Sequence, residues 1–347
     1  MIRNTRYEII ICLMKISLIL TVLNEGDHIR RLLESVAKQS RLPDEVVVCD
    51  GGSKDNTAAI IHEYDDRLPL TIVSAPGANI SQGRNAAIRA TSGEVIAVTD
   101  AGVWLEEGWL EELARAGDWG EGGDEGKRGN KGTVMVAGFY HSDPQTVFEV
   151  ALGATTMPEA SEIDPAKFLP SSRSVAFLKS AWEAVGGYSE WLDFSEDVVF
   201  DLKMRSLPEK FGAFTFAPKA VAHFRPRSSL RAFAKQYFNY AKGDGRANLW
   251  PRIHFIRYFT YLVAAPLGVY AAIAVSPWLW LLGAVAGLAY VRRPLQRLAK
   301  TTDLANYTDW ILALAWIPVI RVTGDMAKMI GYPVGVWGRI RQRIEPI

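Results

Sequence analysis

Three stretches of this sequence place carboxylates where they could do chemistry, two of them at the end of an apolar run. VVVCDGGSKDNT, Val46 to Thr57, delivers Asp50 into Gly51-Gly52, which permit a tight turn and close approach of backbone to a ligand. Ser53 or Asp55 can cap the helix that follows. AVTDAGVWL, Ala97 to Leu105, ends on Asp100, followed by Ala101 and Gly102. FSEDVVFDLKMR sets Glu196 and Asp197 at the start of a helix-like segment, where two acids also suit the helix dipole. Taken alone, the Asp50 stretch reads equally well as an Asx-type turn without a ligand. Gly-Lys-Ser/Thr and G-x-G-x-x-G are both absent there, which excludes a phosphate loop and a dinucleotide fingerprint. Asp201 and Arg205, one and two turns beyond Asp197, read as helix-face pairing.

The elements that carry these acids follow from periodicity. Strands are expected at Ile16–Val22, Glu45–Cys49, Leu70–Ser74, Glu94–Thr99 and Thr133–Phe139, with helices near 26–39, 56–65, 81–91 and 108–116. Continuous apolar strands separated by helices predict an α/β fold, a mostly parallel sheet covered on both faces. Ligands bind such sheets beyond the carboxyl ends of the strands. Thr21–Glu25, Asp50–Ser53 and Asp100–Gly102 are the polar ends that meet this condition. Residues 117–132 hold seven glycines and seven charges in 16 positions, so a flexible surface loop is expected there.

The 347 residues exceed one domain. Lys plus Arg is 39 against 38 for Asp plus Glu, so bulk charge argues neither way about nucleic acid, and no nucleic-acid partner is expected. Charge placement says more. Eight Lys/Arg and one acid, Asp244, lie between His223 and Arg257, directly before 34 residues, Tyr258 to Val291, without a single Asp, Glu, Lys or Arg. One helix of that length would be ~50 Å, well over the ~30 Å hydrocarbon core. Ser276-Pro277 divides it into an expected membrane hairpin, about 255–275 and 278–295. Basic residues on both flanks make both sides cytoplasmic by the positive-inside rule. A third apolar segment, 309–320 with Pro318, reads as re-entrant or interfacial. SLRAFAKQYFNYAKGDG has apolar residues at 230, 233, 237 and 238, the spacing of a helix lying in the membrane interface. Cys12 and Cys49 sit in apolar runs and read as buried free thiols. Met14 is a plausible true start, making residues 1–14 an N-terminal extension.

LILTVLNEGDHIRRLLESVAKQS, DGGSKDNT, ANISQGRNAAIRATSGEVIAVTDAG and VGGYSEWLDFSEDVVFDLKMR, in this order, resemble the inverting family 2 glycosyltransferases. Their nucleotide-sugar domain has the GT-A fold, a Rossmann-like sheet with flanking helices. The likeness covers about 15–245. It implies that Thr21, Asn24, Glu25 and Asp50 bind the nucleoside, with Thr21 in place of the family's usual Pro and Gly51 in place of a frequent second Asp. It implies that Arg84 lies near base and diphosphate, and that Asp100 is the first acid of Asp-x-Asp, whose second acid is replaced by Gly102. A Mg²⁺ or Mn²⁺ ion would be held by Asp100 with His223, or cationic side chains would do part of that work. Asp197, with Glu196 beside it, would be the catalytic base. Gln236-Tyr237-Phe238-Asn239-Tyr240 echoes a Gln-x-x-Arg-Trp motif of membrane-bound polysaccharide synthases, placing Gln236 and Tyr240 on the acceptor side.

The expected protein is a membrane-anchored, multi-pass inverting glycosyltransferase of the cell membrane. Its GT-A domain (15–227) is cytoplasmic, followed by an interface helix region (228–252) and a membrane domain (253–347). It takes a nucleotide-sugar donor, UDP-linked, and a lipid-linked or glycan acceptor, making single transfers. The alternatives are a nucleotide-sugar-binding scaffold with a degenerate metal site and a nucleotidyltransferase.

Overall fold

Val46, Val47, Val48 and Cys49 are buried on both faces of their strand, as an unbroken apolar run requires. The structure, a computed structural model, describes residues 14–119, 132–207 and 211–343. Residues 1–13, Cys12 among them, and most of the glycine-rich stretch expected to be a loop lie outside the described residues. Five strands and four helices fall where periodicity predicted them: β1 (Ile16–Val22), α1 (Gly26–Ala37), β2 (Glu45–Asp50), α2 (Thr57–His62), β3 (Leu70–Ser74), α3 (Ile80–Ala90), β4 (Val95–Val98), α4 (Trp109–Ala116) and β6 (Thr133–Ser142). β5 (Val103–Leu105), β7 (Val175–Leu178) and β8 (Ala213–Phe224) complete one eight-stranded sheet in the order β3-β2-β1-β4-β7-β6-β8-β5.

The sheet is mixed, which corrects the expectation of a mostly parallel one. β3, β2, β1 and β4 pair in parallel, while β7 runs antiparallel to both β4 and β6, and β5 antiparallel to β8. Three and four residues are too few for a periodic signal in β5 and β7, and Pro218 inside β8 argues against a strand. Alternation splits the core. Ile16, Leu18 and Leu20 pack with Ile29, Leu32 and Trp109 on one face, and Ile19 and Val47 pack with Ile88, Phe177 and Phe200 on the other.

Two compact units divide the chain, and the division is not at residue 227. The first unit holds the sheet, from the described N-terminus to His141 and from Ala160 to Phe224. It also carries α6 (Lys179–Ala184) and α7 (Glu196–Arg205). The second unit takes Ser142–Glu159 and everything from Arg225 onward, so α5 (Val147–Thr156) belongs with the C-terminal helices.

Those helices are α8 (Leu230–Ala247), α9 (Pro251–Phe259), α10 (Ala265–Ala274), α11 (Leu279–Leu298) and α12 (Tyr307–Gln342). A π-turn at Thr260–Ala264 joins α9 to α10 just before Pro266, whose missing N–H breaks the regular ladder. Helices flank Ser276-Pro277 on both sides, but of the two arms expected at 255–275 and 278–295 only the first falls, among the described residues, in a stretch long and apolar enough to cross a bilayer, Pro251–Ala274. The third apolar segment is different: 309–320 is only the first third of the continuous 36-residue α12. Pro318 removes one backbone bond without ending the helix, because Ala313, Ile317 and Ile320 are buried with Phe233 of α8 and Val150 and Leu152 of α5.

α8 is not a free interfacial helix either. Phe233 is buried and Tyr237 packs against it at 4.3 Å, both toward α12. Glycines set the approach. A Cβ on Gly331 would collide with the Phe238 carbonyl, one on Gly335 with the Lys242 carbonyl, and one on Gly245 with the Tyr332 carbonyl. Small residues at such a seam let two helix backbones meet closely.

Candidate active site

β1, β2 and β4 end side by side, since Val22 pairs with Asp50 and Ile19 with Val98. Their carboxyl ends therefore gather the loops that carry Asn24-Glu25, Asp50-Ser53 and Asp100. In the first loop Asn24 adopts a left-handed φ of 56°, tolerable for Asn, and its Oδ1 accepts from Lys54 N–H at 2.9 Å. Ser53 Oγ accepts the Asn24 N–H at 3.0 Å, and Thr57 Oγ1 accepts that of Glu25 at 2.9 Å. The two loops are thus knitted into one polar rim. Asp50 Oδ1 accepts from Gly52 N–H at 3.1 Å, Ser53 N–H at 2.9 Å and Ser53 Oγ at 2.7 Å. This is the Asx-type turn the sequence allowed; Gly52, at φ 96°, makes it possible. A single carboxylate oxygen, Oδ1, accepts all three bonds of the turn.

Gly83 lets α3 lie close on β1, since a Cβ there would stand 3.1 Å from Thr21 Cγ2. Asn79 caps α3 in a capping box with Gln82. The helix turns Arg84 inward, where it is 3% exposed, and its guanidinium bridges Glu196 Oε1 at 2.7 Å and Asp100 Oδ1 at 3.1 Å. The Tyr188 ring lies under it at 5.3 Å. Two carboxylates hold this cation firmly charged against the cost of burial. Arg84 is therefore an internal tie between α7 and the end of β4, beside the Asp100 that the resemblance sets at the ribose and diphosphate.

Asp100 has a second cation, Arg173, whose Nε is 3.8 Å from Asp100 Oδ2. Because β7 runs antiparallel to β4, Val175 pairs with Val98, and the residues just before β7 arrive beside the end of β4. Thr99 Oγ1 donates to the Arg173 carbonyl at 2.8 Å and locks that register. The guanidinium also lies over the Phe224 ring at 4.3 Å. Sequence reasoning missed Arg173 because it missed β7.

α7 begins at Ser195, which holds a left-handed φ of 60° without being glycine. Strain of this kind collects at functional sites. The turn feeding it is fixed by Asn85, whose Oδ1 accepts from Tyr188 N–H at 2.9 Å and Trp182 Nε1 at 3.2 Å. Gly186 and Gly187, at φ 74° and 71°, form the turn itself. Glu196 is 7% exposed and turned to Arg84. Burial and the adjacent Asp197 push its carboxyl up to about 7. Asp197 is half-buried; one oxygen accepts from Val198 N–H at 2.8 Å, and burial raises its pKa, with Arg84 opposing. Asp201 does not pair with Arg205, as the sequence suggested. Arg205 donates to the Ala166 carbonyl at 2.7 Å, while Asp201 is buried, keeps Oδ2 unpartnered among the described residues and is driven well upward by that burial.

The expected metal pair does not assemble. His223 stacks on Trp104 at 3.9 Å and shares a hydrogen bond with Glu106 at 2.9 Å, while Asp100 is taken by two guanidiniums. A Cβ on Gly102 would meet nothing within 4 Å, and among the described residues no group of three His, Cys, Asp or Glu could hold an ion. Gln236 and Tyr240 lie one turn apart on α8 in the second unit, joined by a 2.9 Å hydrogen bond.

Residues 17–123 match the family described as Glycosyl transferase family 2. An uncharacterized glycosyltransferase of Nostoc sp. is 37% identical over 94 residues, 26% of this chain and 29% of that protein. Validoxylamine A glucosyltransferase of Streptomyces hygroscopicus subsp. limoneus is 33% identical over 105 residues, 29% of this chain and 23% of that protein. The chain thus spans under a third of the length of these curated relatives. Among solved structures, the mannosyltransferase PcManGT from Pyrobaculum calidifontis, in complex with GDP-Man and Mn²⁺, superposes with a TM-score of 0.52 at 17% identity, covering 96% of this chain and 88% of that one. That likeness establishes the fold.

Proposed function

We propose that this chain, which matches Glycosyl transferase family 2 over residues 17–123 and has the GT-A fold, is an inverting glycosyltransferase taking a nucleoside-diphosphate sugar, UDP-linked, as donor. The observation that carries the reading is Asp197. It stands at the first turn of α7, preset by one backbone hydrogen bond, with its second oxygen unassigned and its pKa raised toward the working range of a base.

Asn24, Glu25 and Asp50, with Thr21 beneath them, form the nucleoside side. Asp100 and Arg173 face the ribose and diphosphate. Asp197 accepts the proton of the acceptor hydroxyl as its oxygen attacks the anomeric carbon, and the nucleoside diphosphate departs from the opposite face with both electrons of the broken bond. Inversion follows from this single displacement. The extra negative charge on the leaving group meets Arg173, which Asp100 orients.

The acceptor is lipid-linked or a glycan at the cytoplasmic face of a membrane. Supporting a membrane location, and that alone, are two helical stretches, Pro251–Ala274 and Tyr307–Gln342, long and apolar enough to span a bilayer. α9 to α11 also expose Phe255, Leu262, Ile273, Trp278 and Leu288, more apolar surface than a soluble monomer leaves in water.

Asp197→Asn tests the reading: it keeps shape and hydrogen bonding but cannot take a proton. Transfer from a UDP-sugar should fall by about 10²–10⁴-fold while donor affinity stays within about twofold. Full transfer by Asp197→Asn would refute the mechanism. Absence of transfer or hydrolysis across a panel of nucleotide sugars, with donor binding intact, would instead favour the scaffold.

A further inference from the structure

The charge-free stretch around Ser276-Pro277 returns over a shorter distance than it enters. The entering arm, Tyr258 to Val275, has 18 residues, and the returning arm, Trp278 to Val291, has 14. Arg292 and Arg293 follow at once, and both are exposed. As helix the returning arm rises ~21 Å, whereas crossing ~30 Å of hydrocarbon takes about 17–25 apolar residues. Drawing the turn to the far side would pull two exposed guanidiniums into lipid, which is costly. The shorter arm therefore sets the depth, and the turn stops ~9 Å short of the far surface.

Asp325 of α12 stands at the mouth of this hairpin. It accepts from Arg257 Nε at 2.8 Å, just before the entering arm, from the Tyr261 hydroxyl at 3.0 Å and from the Tyr290 hydroxyl at 2.6 Å, two residues before Arg292. Asp325 is also the midpoint of an apolar face. Ile311, Val319, Val322, Ile330, Trp337 and Ile340 are all at least 41% exposed. At 3.6 residues per turn they fall within about 100° of one another around the helix. The opposite face, from Ala313 to Gly335, is the buried one. Arg321, Asp325, Lys328 and Arg339, all the charges between Ile311 and Ile340, follow one another along a different flank. The apolar face is ~45 Å long. Were α12 upright, with Asp325 held at the hairpin mouth, half of that face, ~22 Å, would stand in water. Lying flat, α12 puts the whole face in lipid, as an interfacial amphipathic helix does. A protein partner would need polar groups to pair with at its rim, and this face offers no charge along its length.

We propose that the helical unit is a single-leaflet anchor: α12 lies in the membrane plane with this face in lipid, and the hairpin dips into the same leaflet without crossing. The inference rests on the membrane location proposed above and gives it a geometry.

The full chain carrying Cys12→Ser, with Cys49 left in place because it is buried, would be reconstituted in phosphatidylcholine vesicles. Single cysteines at Ser276, Ile311, Val322, Ile330 and Ile340 would carry spin labels. Collision with oxygen, which concentrates in hydrocarbon, and with a nickel chelate, which stays in water, reads the depth of each. The Ser276 label should lie in hydrocarbon, closed to the chelate, and the four α12 labels should share one depth to within about 5 Å. A Ser276 label open to the chelate while the α12 labels lie in lipid overturns the proposal, because a crossing turn surfaces on the far side. Depth that changes by about 1.5 Å per residue along α12 overturns it in favour of a span. Labels on α12 closed to both reagents overturn it in favour of a second copy covering the face. All five labels open to the chelate would refute the membrane location itself. Should a variant not fold, Val319 and Trp337 carry the label on the same face.

Discussion

Arg84 is the residue on which the active-site acids depend. It is a buried cation shared by Glu196 and Asp100, so truncating it strands two carboxyl groups beside Asp197. Breaking a buried pair by removing one partner costs about 3–5 kcal/mol. Arg84→Ala should therefore lose that much unfolding free energy in denaturant melts above pH 7, and less at pH 5, where Glu196 is protonated. Equal losses at both pH values would contradict a carboxylate origin. The wild type has a related signature. Glu196 rises from 4.5 to about 7 on folding, so between those values the native state holds a proton that the unfolded chain has released. Stability from this group is intact below about 4.5 and is lost as pH climbs toward 7; Glu196→Gln should flatten that slope. Asp50 makes a separable prediction. Its Oδ1 builds the turn, so Asp50→Asn keeps an acceptor there while removing the charge on the rim. UDP affinity should drop by about tenfold with kcat at saturating donor little changed, as steady-state kinetics would read.

At the scale of elements, the seam between α8 and α12 is set by backbone contact. Gly331 and Gly335 leave no room for a Cβ against Phe238 and Lys242. Gly331→Val should push the two helices apart, costing about 1–3 kcal/mol or more by overpacking. A melting profile of the full chain would register it, whereas Gly338→Val, where a Cβ meets nothing within 4 Å, should be near neutral. α5 shows how an element's allegiance can differ from its place in the chain. It lies between β6 and β7 in sequence, yet Val150, Ala151 and Leu152 are buried with Phe233, Leu298 and Ile317 in the helical unit.

For the whole molecule, this exchange changes what truncation does. Cutting after residue 250 would seem from the sequence to release a complete catalytic domain. It removes instead the partners of α5 and of the apolar face of α8, leaving Val150, Leu152 and Phe233 without a core. Residues 14–250 should therefore aggregate or melt well below the full chain, as scattering and calorimetry would show, and donor binding should suffer with them. The full chain should fractionate with membranes and require detergent for release; recovery in the soluble fraction without detergent would count against the exposed apolar helices as a membrane surface.

The amino-acid sequence by itself determined the parallel half of the sheet, the order of the motifs, the hairpin of apolar helices and the acids at the strand ends. All of these are written locally, in runs of β-branched residues, in Asp-Gly-Gly and in a charge-free stretch bounded by Arg. Tertiary structure decided what those acids face. Arg84 and Glu196 are 112 residues apart, and only folding shows that they neutralise each other. Arg173 reaches Asp100 through a four-residue antiparallel strand too short to leave a pattern, and His223 is drawn to Trp104 and Glu106 by the pairing of β5 with β8. Periodicity records which face of an element is buried. It does not record which neighbour buries it, because that choice is made by contacts between segments far apart in the chain.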